Sequence, residues 1–212
     1  MKIKKLGHCC FVSEPKEGVR VMTDPGAFST MQVEEKNILA ILITHEHQDH
    51  FHIDSLKKVL ENNPKAIVIT NTAVGGLLAE AGITYTKVEE GEKYDLNGVS
   101  IIGFGNTHAE IYGTYGQVQN TGYMIDTLCY PGDAFSYPDA QVDVLALPVA
   151  GPWMRIKDAI DYAKNVKPRI VFPVHDAILS QVASFIPKTV GHFLAESKIG
   201  LKQLELGKEE EI

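Results

Sequence analysis

Residues 43–50 read ITHEHQDH, which places His45, His47, Asp49 and His50 within six positions directly behind the apolar run ILAILIT at 38–44. A run this unbroken is expected of a strand buried on both faces, and it stops where the histidines begin. Neutral imidazoles and carboxylates are ligands for zinc and its neighbours, so four such groups at a strand end predict a metal site. In extended backbone, residues i and i+2 project to one side, which lets His45 and His47 grip one ion. A tight turn into the next element would aim Asp49 and His50 at a second. His45-Glu46 also begins an H-E-x-x-H pattern, but Asp49 stands where its second histidine is required, so a helical zincin site is excluded.

Working outward, IDSLKKVL at 53–60 has helical spacing and ends before NNP. AIVIT at 66–70 reads as a strand, and 71–82 as a helix with Asn71 as N-cap and Gly82 as terminator. Upstream, KIKKL, CCFVS and VRVMT are short strands. Downstream, KYDL and VSIIGFG flank Asn97-Gly98, a strong hairpin signal, and GYMID and LCYPGD form a second pair. The polar stretch from Gly105 to Gly122 is too long for a tight turn, which predicts a functional loop. The strand-helix-strand rhythm then returns in VDVLALP, RIKDAIDYAKNV and RIVFPVH, followed by a helix at 185–197 and a strand LKQLEL. This order predicts an α+β chain of two packed sheets with helices on their outer faces.

The 212 residues fit a single domain spanning 1–212, and 44% hydrophobic with 22% charged residues is a globular composition. A net charge of −7 argues against broad adhesion to nucleic acid. Cys9, Cys10 and Cys129 lack the even count of a disulfide framework, and no apolar run has the length of a membrane span. A reducing cytoplasmic setting without membrane association is therefore expected.

Two ions need more than four ligands, and further candidates stand at ends of expected strands: His108 after SIIGFGNT, Asp133 after LCYPG and His175 after RIVFPV. With these residues in place the chain resembles the metallo-β-lactamase fold superfamily. HEHQDH matches its H-x-H-x-D-H motif, and NTH, PGD and PVH match its later histidine, aspartate and histidine motifs. The GH at His8, LPVAGPWM at 147–154 and FPVH resemble the compact branch that includes ascorbate-6-phosphate lactonase and related metal-dependent hydrolases.

The resemblance implies a four-layer αββα sandwich with the site on one sheet edge. His45, His47 and His108 would hold one ion, Asp49, His50 and His175 a second, and Asp133 would bridge them. Zinc is the first choice of metal, with manganese next and iron or nickel compatible. Asp24 in MTDP looks like the superfamily's supporting aspartate, with a plain turn aspartate as the other reading. The implied chemistry is hydrolysis of a small ester, lactone or phosphodiester by a metal-bound hydroxide, with Asp49 or Asp133 handling the proton.

No G-x-S-x-G elbow or phosphate-cradling glycine loop suggests another route. Phe28–Met31, the 110–119 segment with Tyr112 and Tyr115, and Trp153-Met154 are the candidates for pocket walls, although aromatic residues in loops also serve as core. His8 faces either the pocket or the interior, and His52 and His192 are expected at the surface. The chain is short for the helical domain of glyoxalase II relatives or the insert of the nuclease branch, so a small-molecule substrate is expected and a large nucleic acid is not. Oligomeric state is left open. Two rivals stay open as well: a non-catalytic protein that retains the site, and a di-iron redox protein, for which a carboxylate in place of His47 and a flavin partner domain would be expected.

Overall fold

The computed structural model describes residues 1–212. Seven strands build the first sheet: β1 (Lys2–Lys5), β2 (Phe11–Lys16), β3 (Val19–Thr23), β4 (Ala40–Leu42), β5 (Ile67–Thr70), β6 (Thr86–Lys87) and the C-terminal β14 (Glu209–Glu211). Their order is β14-β1-β2-β3-β4-β5-β6. The second holds β7 (Lys93–Leu96), β8 (Val99–Phe104), β9 (Gly122–Ile125), β10 (Leu128–Tyr130), β11 (Val144–Pro148), β12 (Ile170–Val174) and β13 (Gly200–Leu201), in the reverse of sequence order. Each sheet begins with antiparallel strands and ends with parallel ones.

Parallel neighbours need crossovers, and the chain supplies helices: α1 (Ile53–Asn62) and α2 (Thr72–Glu80) on the first sheet, α3 (Ile156–Val166) and α4 (Phe185–Ala195) on the second. Strand β4 shows why its sequence is continuously apolar. Ala40 and Leu42 enter the core between the sheets, while Ile41 and the adjoining Ile43 pack with Leu56 and Val59 of α1 and Val74 and Leu78 of α2. In β11, Val144 and Ala146 face the central core while Leu145 and Leu147 meet Ala159, Ile160 and Ala163 of α3. Each large aliphatic side chain so buried contributes about 1.5–3 kcal/mol. Three apolar cores in this arrangement make a four-layer αββα sandwich, as expected.

Local signals hold where their chemistry is specific. Asn71 caps α2, accepting from Val74 N at 3.1 Å, and Gly82 takes a positive φ of 71°. Asn97 and Gly98, at φ 54° and 85°, form the turn joining β7 and β8. Helix α1 stops at Asn63, whose amide donates to Val59 O and Glu35 O and accepts from Ile38 N.

Elsewhere the structure corrects the expectation. CCFVS does not start a strand at Cys9, because the chain turns there and Leu6 N donates to Cys10 O at 2.8 Å. LKQLEL is not a full strand; only Gly200–Leu201 pairs, beside Ile170 and Val171. The missed edge strand is the acidic Glu209–Glu211, which pairs with the basic β1 so that Glu211 lies opposite Lys2 and Glu209 opposite Lys4. Opposite charges across a ladder compensate for the weak strand propensity of glutamate.

Candidate metal centre

The strand β4 ends at Leu42, and Ile43 N still donates to Ile69 O of β5. Beyond it, His50 N and Phe51 N both donate to His47 O, at 2.9 and 2.8 Å, closing the tight turn that swings Asp49 and His50 around. Gly26 lies directly on this turn, beside Ala27, whose N donates to Gln48 O at 2.8 Å. A Cβ at Gly26 would collide with the Asp49 carbonyl. Gly26→Ala is therefore expected to push Asp49 out of place and to lower Tm by several degrees, as an overpacked core does. Unchanged thermal melting and metal affinity would contradict this.

All seven expected ligands meet at one end of the sheets. A nitrogen from each of His45, His47 and His108 lies within 4.8 Å of the others, and Asp49, His50, Asp133 and His175 form a second such group. Asp133 stands between them: Oδ2 is 3.5 Å from His108 Nε2 and 2.9 Å from His175 Nε2, and Oδ1 is 3.1 Å from His50 Nε2. Asp49 Oδ2 lies 3.5 Å from His175 Nε2 and 3.7 Å from His50 Nε2.

Hydrogen bonds orient the rings. Asp24 is buried and accepts from Thr44 N, Thr44 Oγ1, His50 Nδ1 and Tyr130 OH. Thr44 Oγ1 spends its proton on Asp24, so it accepts from His45 Nδ1 at 3.0 Å. His108 Nδ1 donates to Ala109 O at 2.6 Å. With Nδ1 committed as donor in all three rings, Nε2 is the nitrogen that an ion would meet.

Those inward atoms have no hydrogen-bond partner: Nε2 of His45, His50 and His108 and Oδ1 of Asp133 are buried and unsatisfied. An unmet buried polar atom costs about 1–3 kcal/mol, and four converging on one space fit a cation and little else. The donor set of five imidazoles and two carboxylates suits first-row divalent ions.

Burial, reinforced by the neighbouring His50, holds His45 well below the usual imidazole pKa, and burial with His108 lowers His47. Burial also opposes charge on His50 and His175, but their neighbours outweigh it: Asp133 and then Cys9 hold His50 well above its ordinary value, and Cys9, Asp133 and Asp49 raise His175 to about 10. An ion entering here would have to displace protons from His50 and His175 at neutral pH, whereas burial keeps His45 and His47 deprotonated. Loading of the Asp49-His50-His175 position is expected to strengthen as pH rises towards 10, with proton release measurable by titration calorimetry in buffers of different ionisation enthalpy. Release of no protons at pH 7 would contradict the assignment.

Three neighbours were not legible as they stand. Trp153 stands beside the cluster, buried, with its ring 6.1 Å from that of His108 and 6.0 Å from that of His175, and its Nε1 donates to Asp133 Oδ2 at 2.7 Å. Met154 packs towards the α3 and α4 core. His8 is interior and beside the site, its Nδ1 accepting from Ala177 N at 3.2 Å and its Nε2 3.4 Å from Asp49 Oδ2.

Phe28 lies against His8 at 5.5 Å between ring centroids, and with Gly7, Met31, Ala177, Leu204 and Leu206 lines a cavity of about 330 Å³. Tyr112 and Tyr115, 84% and 74% exposed, sit on a small hairpin whose Gly116 approaches the His47 ring. A larger cleft of about 490 Å³, beside Asp143, Arg169 and Lys198, opens at the opposite ends of β11 and β12 and holds none of these groups. His52 and His192 also lie outside the cluster; His52 bonds Ser55 at the start of α1, and His192 is in α4.

No helix is long and apolar enough to cross a membrane. Protein Rv0786c of Mycobacterium tuberculosis is 34% identical over 186 residues, covering 85% of this chain and 86% of that protein. A UPF0173 metal-dependent hydrolase of Thermoplasma volcanium is 27% identical over 190 residues, covering 82% and 83%. Among solved structures, Igni18, described as a novel metallo hydrolase from Ignicoccus hospitalis, superposes with a TM-score of 0.78 at 21% identity, covering 100% of this chain and 98% of that one. The family model described as Beta-lactamase superfamily domain matches residues 2–175, including all seven clustered residues, and the chain belongs to that superfamily.

Proposed function

We propose that the chain is a binuclear metal-dependent hydrolase acting on a small ester, lactone or phosphodiester. The observation that carries this reading is the position of Asp133 between two groups of inward-facing, unpartnered donors. Metal-dependent hydrolases among the relatives support it. His45, His47 and His108 would hold one ion, Asp49, His50 and His175 the other, with Asp133 shared.

Divalent ions bound there would bring a water's pKa towards about 7 and polarise the scissile carbonyl or phosphoryl oxygen, with zinc the first candidate and manganese next. The chain's own contribution is order and proton handling. Trp153 fixes the Asp133 oxygen that faces His108 and His175, so Asp133 serves to hold the two donor sets together. Asp49 is the carboxylate of the site that reaches solvent, which suits it to take a proton from attacking water and pass it out. His8 Nε2 lies 3.4 Å from the Asp49 Oδ2 atom, on the interior side of that carboxylate.

The cavity behind Phe28 and Met31, lined also by the paired Lys5 and Asp176, suits a small substrate with both apolar and polar parts, and the Tyr112-Tyr115 hairpin would wall the His47 side. A cytoplasmic location fits the three unpaired, buried cysteines.

The test is a panel of generic lactones, carboxylic esters and phosphodiesters with metal-free protein reloaded with Zn²⁺ or Mn²⁺. Turnover is expected for at least one class and is lost on chelation and in His47→Ala. Uniform inactivity would favour a binding protein that retains the site. Visible absorption from an iron centre with no hydrolysis would favour the redox rival, although His47 stands where that chemistry calls for a carboxylate.

A further inference from the structure

The turn between β1 and β2 carries a group the proposed hydrolysis leaves unused. Cys9 is 1% exposed, and its Sγ, one nitrogen of His50 and one nitrogen of His175 lie within 4.8 Å of one another, with His8 completing the group. A free thiol in a core is ordinarily a small apolar filler. Here a second observation points to a ligand: His175 Nδ1, the ring nitrogen that does not face Asp49 and Asp133, is buried and without a hydrogen-bond partner.

The other cysteines have no such company. Cys10 packs in the core under α1 and α2, and Cys129 in the core under α3 and α4 with its Sγ 3.8 Å from Tyr162 OH.

We propose that Cys9, His50 and His175 form a second, sulfur-containing cation position beside the oxygen-lined one. This rests on the reading of the site as a metal centre. His8 borders the position and is not counted as a ligand, because its Nδ1 lone pair is taken by Ala177 N–H and its Nε2 carries the proton.

His50 and His175 serve both positions, so one ion cannot use both sets fully. Asp49 and Asp133 offer hard oxygens on one side, and Cys9 offers a soft sulfur on the other. Ligand softness then sorts the ions: manganese belongs with the carboxylates, while zinc, cadmium and cobalt accept thiolate. On binding, the S–H bond breaks, the sulfur keeps the electron pair and donates it to the cation, and the proton leaves to solvent. No redox partner is involved. An ion drawn to the sulfur would sit further from Asp133 and uncouple the two donor groups, so cadmium, the most thiophilic of these ions, is expected to inhibit the centre when in excess.

The experiment is a Co²⁺ titration of the full-length, metal-free protein followed by near-ultraviolet and visible absorption. Wild type is expected to develop a thiolate-to-cobalt charge-transfer band in addition to the visible ligand-field bands. The band is lost in Cys9→Ala and in Cys9→Ser, and kept in Cys129→Ala. Ligand-field bands without a charge-transfer band in saturated wild type would overturn the sulfur position and leave the proposed metal centre standing. A charge-transfer band that survives in a folded Cys9 variant would also overturn it. Absence of any Co²⁺ binding would overturn both readings together. The wild-type spectrum decides the matter even if neither Cys9 variant folds.

Discussion

Asp133→Asn is expected to abolish metal-dependent hydrolysis and, in the proposed binuclear centre, to reduce the ions held at saturation from two towards one. The carboxylate is the group common to the two donor sets, facing His108, His50 and His175 at 3.5, 3.1 and 2.9 Å. An amide of the same shape keeps the volume but removes the negative charge. It also presents an N–H₂ to whichever neighbours it faces, and these are imidazole nitrogens and the indole N–H of Trp153, so one side is always mismatched. Loss of a group that merely supports a ligand typically costs about 10–100-fold in affinity or activity, and loss of a shared ligand must exceed that, so at least about a hundredfold is expected. Metal analysis after dialysis, together with rates on any substrate that wild type turns over, checks it. Two tightly held ions and near-normal rates in the variant would remove Asp133 from its assigned place.

Asp24→Ala should be the most destabilising change near the site, although Asp24 belongs to neither group of expected metal ligands. It is wholly buried and satisfies four donors: Thr44 N and Oγ1, His50 Nδ1 and Tyr130 OH. Its backbone adds a constraint, with φ at 35°, outside the conformations most side chains prefer. Truncation strands those donors in the interior, and breaking a buried charged network by removing one member costs about 3–5 kcal/mol. Metal affinity should fall as well, by about 10–100-fold, since His50 loses the partner that fixes its ring. Asp24→Asn keeps part of the network and should fall between. Chemical denaturation and metal titration of the three proteins separate the effects; equal stability of Asp24→Ala and wild type would show that Asp24 is only a turn residue before Pro25.

The seven clustered residues were legible because a metal site needs particular atoms, and the atoms available come from few residue types. Local spacing handled His45 to His50, and the recurrence of His or Asp after apolar runs found His108, Asp133 and His175. What supports them was less accessible. Nothing local to Tyr130 says that its hydroxyl reaches Asp24, 106 positions away. Trp153 read as a loop aromatic, and only folding brings its indole to Asp133, 20 positions earlier. Cys9 lay inside an apolar run and read as strand, yet the chain turns there. The acidic Glu209–Glu211 carries no strand signal of its own, because its reason to pair is the charge of a strand some two hundred residues earlier. Such partners are set by which surfaces meet, and periodicity within a segment does not encode that.

The two sheets divide the ligands between them. His45, His47, Asp49 and His50 follow β4 of the first sheet, while His108, Asp133 and His175 follow β8, β10 and β12 of the second. Each group of donors therefore draws on both halves of the chain, so ions held there would act as rivets across one end of the sandwich. Filling the site would restrain the sheets from parting at that end, and emptying it would loosen the turns at residues 43–51 and 131–134 more than the opposite end. Amide hydrogen exchange should then slow in those turns on metal loading while the far ends of β11 and β12 change little. Cations bound at the proposed centre would thus hold its two walls in register as well as serve its chemistry.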